Sequence, residues 1–227
     1  MSWKIFDRVK GESTKFDGIL FDLDGTLWDS AKPVCESWNK VMAKNGVKRP
    51  PLTEEELMSY MGLPMYDIAA KALPELSEEK QISLMEEMCS YENEYLTEHG
   101  GILFEGLEDT LEVLRRDYKL FIVSNCQDGY IEAFIKAHHM EKYFSDTECW
   151  GRTKLPKSES NKILIERNNL TNPVYVGDTK GDADAAKKAG IPFIFAGYGF
   201  GSVEESDCIA AVEDIRELPE VLEKLCL

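Results

Sequence analysis

Three short apolar runs, each stopping at polar residues, constrain this chain more than any other feature. Ile19-Leu20-Phe21 runs into Asp22-Leu23-Asp24-Gly25, Leu120–Val123 into Ser124-Asn125, and Val174-Tyr175-Val176 into Gly177-Asp178. A fourth run, Pro192–Phe195, ends before Gly197, and a weaker fifth lies near Cys208–Ala211. Short continuous apolar runs bounded by turn residues read as strands buried on both faces. Helical spacing fills the gaps between them. Leu107–Asp117 puts Leu107, Thr110, Leu111 and Leu114 on one stripe, while Tyr130–Ala137 and Lys157–Asn168 show similar spacing. Ala183–Ala189 is a short helix stopped by Gly190-Ile191-Pro192. The alternation predicts an α/β fold, a Rossmann-like doubly wound parallel sheet covered by helices.

The first connection breaks that rhythm. A parallel crossover needs roughly a dozen residues, yet nearly a hundred separate Phe21 from Leu120. That stretch reads as helices over Ala31–Asn45, Thr53–Met61, Tyr66–Leu73 and Ser77–Glu98, broken by Pro50-Pro51, Gly62-Leu63-Pro64 and Pro74. The expected organisation is therefore an α/β core from 1–28 and 100–227 with an inserted all-helical module over 29–99. Gly100-Gly101 is the expected returning hinge. The methionines of the insert, Met58, Met61, Met65, Met85 and Met88, suit helix packing.

Ligands bind outside the carboxyl ends of the strands in a parallel α/β sheet. Folding of this pattern would gather Asp22, Asp24, Ser124, Asn125 and Asp178 in one crevice. Alternate residues of a strand share a face, so Asp22 and Asp24 can both point there. Carboxylates so close repel one another unless a cation compensates, and a hard divalent ion such as magnesium favours this donor set. Gly25 permits a sharp turn, and the Thr26 hydroxyl can hold that turn or a carboxylate.

Asp22-Leu23-Asp24-Gly25-Thr26-Leu27, Ser124-Asn125, Lys157 and Gly177-Asp178-Thr179-Lys180-Gly181-Asp182 resemble, in order, the four motifs of the haloacid dehalogenase superfamily. The helical insert resembles the cap of its phosphoglycolate-phosphatase-like branch, and Gly62-Leu63-Pro64-Met65 and Gly197-Tyr198-Gly199 fit that branch. The resemblance implies a magnesium-dependent phosphatase that acts on small phosphate monoesters through an aspartyl-phosphate. Asp22 is then the nucleophile and Asp24 the general acid and base. Ser124, Asn125, Thr26 and Lys157 bind the phosphoryl group, with Lys157 also counted as catalytic. Asp22, the Asp24 carbonyl and Asp178 hold Mg2+, with Asp182 in support. Lys154, three residues earlier, is the alternative motif lysine, and Asp182 has a second reading as a cap for the helix starting at Ala183. Trp28, Gly62 and Met65 are candidates for specificity, as are Lys48, Arg49 and the loop around Gly62–Tyr66. A β-phosphoglucomutase-like phosphotransferase and a non-enzymatic phosphoacceptor module are the competing readings. The basic cap signature of the former is not evident, and the latter carries no insert after its first strand.

Charge and cysteine usage narrow the partners. With 42 acidic against 26 basic residues, the formal net charge of −16 repels nucleic acid and anionic membranes. No apolar run approaches the roughly 18 residues of a membrane span. Six scattered cysteines lack a C-x-x-C pair, the pattern of reduced thiols in a cytoplasmic protein. The partner expected is a small phosphorylated metabolite.

Overall fold

The structure is a computed structural model, and it describes residues 4–6, 15–60, 63 and 65–226. Its strands are β1 (Lys4–Ile5), β2 (Gly18–Phe21), β3 (Trp28–Asp29), β4 (Ile102–Leu103), β5 (Lys119–Ser124), β6 (Phe144–Cys149), β7 (Pro173–Gly177), β8 (Phe193–Ala196) and β9 (Ala210–Val212). Four helices lie between β3 and β4: α1 (Ala31–Lys44), α2 (Glu54–Met58), α3 (Met65–Ala72) and α4 (Glu78–His99). Six follow: α5 (Leu107–Leu114), α6 (Tyr130–His138), α7 (Trp150–Thr153), α8 (Lys157–Arg167), α9 (Lys180–Ala189) and α10 (Leu218–Leu225).

Among the described residues the main sheet runs β1-β9-β8-β7-β2-β5-β6. Every neighbouring pair is parallel except β1 with β9 at one edge. Side-chain alternation explains the two-faced cover. Ile19 and Phe21 of β2 join α5, α6 and α10 through Leu111, Phe134 and Leu222 in one apolar cluster. Leu20 faces the other way, into a cluster with Phe121, Tyr175, Leu164 of α8 and Ala186 of α9. The Tyr175 hydroxyl, buried there, donates to the Val123 carbonyl at 2.7 Å. β2 sits between β5 and β7, so the chain reverses direction across the sheet beside β2. The crevice that such a switch point opens lies at the carboxyl ends of these strands.

Four features depart from the sequence expectation. β6 forms the edge beyond β5, but its sequence FSDTEC is polar and half exposed, so a search for apolar runs passes over it. β3 and β4 form a small antiparallel ribbon at the root of the insert, pairing Trp28 with Leu103 and Asp29 with Ile102. α9 begins at Lys180 rather than Ala183, because the Thr179 side chain accepts from the Asp182 amide and caps it. In the insert, α2 is shorter than its predicted span, and Thr53 caps it. Met85 and Met88 of α4 are buried and pack in the main cluster with Trp38 and Val41 of α1, as expected for helix-packing methionines. Met61 and Gly62 lie outside the described residues. Leu20 has no solvent exposure. Leu20→Ala should therefore cost about 2–5 kcal/mol, read as a lower urea midpoint with the slope unchanged.

Candidate active site

Buried charge is tolerable only when paired, and one buried cation organises this crevice. Lys157, on the first turn of α8, places Nζ 2.8 Å from Asp22 Oδ1 and 2.6 Å from Asp182 Oδ1. All three residues are buried. Burial opposes the Lys157 charge, but the Asp182 and Asp22 carboxylates more than offset it and hold the ammonium well above its usual range. Lys154 is elsewhere: it is exposed at the end of α7, with Nζ 4.3 Å over the Trp150 ring. Lys157 is the lysine that reaches the crevice.

Asp182 serves two partners through two oxygens. Oδ2 accepts from the Thr179 amide at 3.0 Å and the Thr179 hydroxyl at 2.6 Å, completing a capping box at the start of α9. Asp182 is thus the third residue of α9 rather than its cap, and its other oxygen is free to face Lys157. It reinforces the Thr179 cap from inside α9, not as the cap of a helix starting at Ala183, while Oδ1 accepts from Lys157.

Asp178 follows β7 and has no solvent exposure. Its Oδ2 accepts from the Phe200 amide at 2.8 Å, and its Oδ1 lies 3.4 Å from the Thr26 hydroxyl. Thr26 therefore braces a carboxylate, one of the two roles expected of it, and it is not among the residues lining the cavity over Asp22. The loop after β8 closes over Asp178. A Cβ at Gly199 would come within 2.3 Å of the Asp178 Cβ and 2.4 Å of the Gly25 carbonyl, so only glycine fits. Tyr198 donates to the Thr26 carbonyl at 2.9 Å, fastening that loop to the turn after β2.

Asp24 is held differently from Asp22. Trp28 Nε1 at 2.9 Å, the Ser30 hydroxyl at 2.6 Å and the Tyr130 hydroxyl at 2.7 Å all donate to its Oδ1. Charge is thereby concentrated on Oδ1, leaving Oδ2 as the oxygen suited to carry a proton. Burial pushes the Asp24 carboxyl up, with the Ser30 and Tyr130 hydrogen bonds pulling the other way. Trp28 itself is fully buried, edge-on to Tyr130, Phe134 and His138. It supports Asp24 from beneath and does not line the cavity, contrary to its expected role in specificity.

A cavity of about 60 Å³ opens over this floor. Asp22, Asp24, Ser124, Asn125, Lys157 and Thr179 line its core side, and Met65 its helical side. Gly62 is outside the described residues. Arg49 is engaged within the insert, with Nη2 2.6 Å from both Glu56 carboxylate oxygens, and Lys48 is exposed; neither lines the cavity. Sequence reasoning gave no role to Ser30, Tyr130, Glu92 or Gln127. Tyr130 stands 106 positions from the carboxylate it bonds, and no local pattern announces such a contact.

Carboxylate oxygens of Asp22, Asp178 and Asp182 lie within 4.8 Å of one another. Three carboxylates against the single Lys157 ammonium leave two negative charges, which a divalent ion of hard, oxygen-seeking character would balance. Burial first, then Asp182, push Asp22 well above the usual carboxylate range, with Lys157 pulling back. The same two causes push Asp178 up to about 7.

A family model for haloacid dehalogenase-like hydrolases matches residues 19–196. The chain belongs to that family. It is an enzyme, a hydrolase of the phosphatase type within the phosphoglycolate-phosphatase-like branch. The phosphoglycolate phosphatase of Vibrio vulnificus (strain YJ016) is 29% identical over 224 residues, covering 90% of this chain and 95% of that protein. The phosphoglycolate phosphatase of Escherichia coli (strain K12) is 26% identical over 215 residues, covering 84% of each. In fold, the chain superposes on a predicted phosphoglycolate phosphatase from Haemophilus somnus 129pt with a TM-score of 0.79. That alignment has 23% identity and covers 92% of this chain and 98% of the other.

The raised Asp178 carboxyl carries a consequence for this hydrolase. Between its unfolded value near 3.8 and its folded value of about 7, the folded state binds the proton that the unfolded state releases. The metal-free protein should therefore lose stability through this group as pH rises across that interval, with the whole penalty present above it. A divalent cation competes with those protons. Magnesium should raise the thermal midpoint far more near pH 8 than near pH 5; an equal shift at both, or none, would contradict the site.

Proposed function

We propose that this phosphatase hydrolyses small phosphate monoesters by passing the phosphoryl group through Asp22, with Asp24 as acid and base and Mg2+ as cofactor. The observation that carries the reading is the difference between two carboxylates two residues apart. Asp22 is paired with the buried Lys157 ammonium, whose pull, joined by that of a bound divalent ion, would oppose the rise that burial and Asp182 impose on its carboxyl, as a nucleophile requires. Asp24 is raised by burial with its hydrogen bonds gathered on one oxygen, which suits a proton donor.

In the first half-reaction an Asp22 carboxylate oxygen attacks phosphorus as the bond to the ester oxygen breaks. Asp24 gives its proton to that oxygen, so the leaving group departs as an alcohol. Asp24, now ionised, then takes a proton from water as the resulting hydroxide attacks phosphorus. The bond to Asp22 breaks, and inorganic phosphate and the free carboxylate result. Lys157 and the Ser124 and Asn125 groups on the cavity wall would bear the charge on the phosphoryl oxygens. Asp22, Asp178 and the Asp24 carbonyl would hold Mg2+, which when bound neutralises carboxylate and phosphate charge. The helices α1–α4 would act as a cap that excludes water from the aspartyl-phosphate, dividing the chain into a core of 1–28 and 100–227 and a cap of 29–99.

The relatives named phosphoglycolate phosphatase support a small phosphorylated metabolite as substrate. Among the described residues no helix is long and apolar enough to cross a membrane, which accords with the cytoplasmic setting we assign.

Steady-state release of phosphate from p-nitrophenyl phosphate tests the roles. Turnover should require Mg2+ and stop on chelation. Asp22→Asn should bring it to background, while Asp24→Asn should slow it by about 10²–10⁴-fold. Undiminished turnover by the Asp22 variant would remove the nucleophile assignment.

A further inference from the structure

The helical wall of the cavity differs in kind from its floor. Val34 of α1, Leu57 of α2, Leu63, and Met65 and Ile68 of α3 supply an apolar surface opposite Asp22. Among the described lining residues Lys157 carries the single positive charge, and it belongs to the phosphate end. The sequence from Pro50 to Ala70 contains neither lysine nor arginine, so that whole segment of the insert brings no cation. Of the nearby basic residues, Lys48 and Lys71 are exposed and do not line the cavity, and others are committed elsewhere. Arg49 is bonded to Glu56 and to the Ala72 carbonyl, Lys44 pairs with Glu87, and Lys40 sits over the Tyr95 ring.

Among the described residues of that wall, which also include Trp38 and Tyr60, Glu92 is the one carboxyl group. Glu92 of α4 is 3% exposed and lines the cavity. Its Oε2 accepts from Trp38 Nε1 at 2.6 Å, and Gln127, also on the cavity wall, hydrogen-bonds to it. Burial pushes the Glu92 carboxyl up to about 8, and the charge of Asp24 pushes in the same direction. Near neutral pH it is therefore mostly a neutral acid, able to give or take a hydrogen bond.

We propose that this cavity selects phosphate esters of small uncharged alcohols over those whose leaving group bears a carboxylate or a second phosphate, with Glu92 as the specificity-determining side chain on the helical wall. The inference rests on the phosphatase reading above and names its substrate class. A carboxylate drawn into this wall would lose its water and meet apolar carbon and Glu92, with no cation to compensate. A hydroxyl at the same place would find Glu92. Size bears on length alone: at roughly 10–15 Å³ for each water-sized position, the cavity of about 60 Å³ leaves room for a short chain.

Two esters that differ at one end decide the matter. 2-Hydroxyethyl phosphate carries a hydroxymethyl where 2-phosphoglycolate carries a carboxylate. With Mg2+ present, kcat/KM for the hydroxyethyl ester should exceed that for phosphoglycolate by about tenfold or more. Glu92→Leu should lower kcat/KM for 2-hydroxyethyl phosphate about fivefold more than for ethyl phosphate, which lacks the hydroxyl. Equal losses on those two esters would mean that Glu92 is structural and would overturn its assignment. Equal or better turnover of phosphoglycolate by the unaltered enzyme would overturn the selectivity while leaving a phosphatase. Hydrolysis of p-nitrophenyl phosphate with none of the three short esters accepted would also overturn it. No turnover of any of the four would overturn the phosphatase reading itself.

Discussion

The Lys157 ammonium, buried between Asp22 and Asp182, is the interaction on which the rest of the site depends. It joins the end of β2 to the first turns of α8 and α9, three segments far apart in sequence. A buried cation stripped of either partner would be left with uncompensated charge, a change that costs several kcal/mol in proteins. The pairing therefore fixes where α8 and α9 begin as much as it prepares chemistry. Asp182 makes this possible because its second oxygen is already turned toward Thr179 by helix capping, so its orientation follows from local backbone requirements.

Around that centre the fold gives two neighbouring carboxylates opposite characters. Asp22 faces an ammonium and two further carboxylates, whereas Asp24 faces hydroxyl and indole donors from β3, the segment leading into α1, and α6. Environment rather than residue type would separate the proposed nucleophile from the proposed proton carrier. The buried aromatic group of Trp28, Tyr130 and Phe134 holds the second environment in place. Because β3 is also the root of the helical insert, Asp24 and the insert share a support.

Much of this was legible in the sequence, and the parts that were not share a physical cause. Apolar strands ending in Asp22, Ser124 and Asp178 marked the sheet and the crevice, because strands buried on both faces must be continuously apolar. The polar edge strand β6 escaped that rule, since an edge strand need not be apolar. The start of α9 was misplaced by three residues because the Thr179 cap was read as part of a motif and not as a helix boundary. Of the roles the sequence offers for Thr26, holding a carboxylate is the one its contact with Asp178 matches, whereas Trp28, a specificity candidate, is packed against Asp24. Proximity in sequence to a motif says little about which side of it a side chain occupies. Tyr130, Ser30 and Glu92 were invisible as site residues because only the tertiary fold brings them to Asp24 and the cavity.

The central claim is that the phosphoryl group is carried on one particular carboxylate. Its most direct test is to mix the enzyme with Mg2+ and 32P-labelled substrate, quench in acid within one turnover, and map the labelled peptide. The account predicts acid-stable, hydroxylamine-labile label on Asp22. Label on another residue, or rapid turnover with no labelled protein at any time, would contradict it.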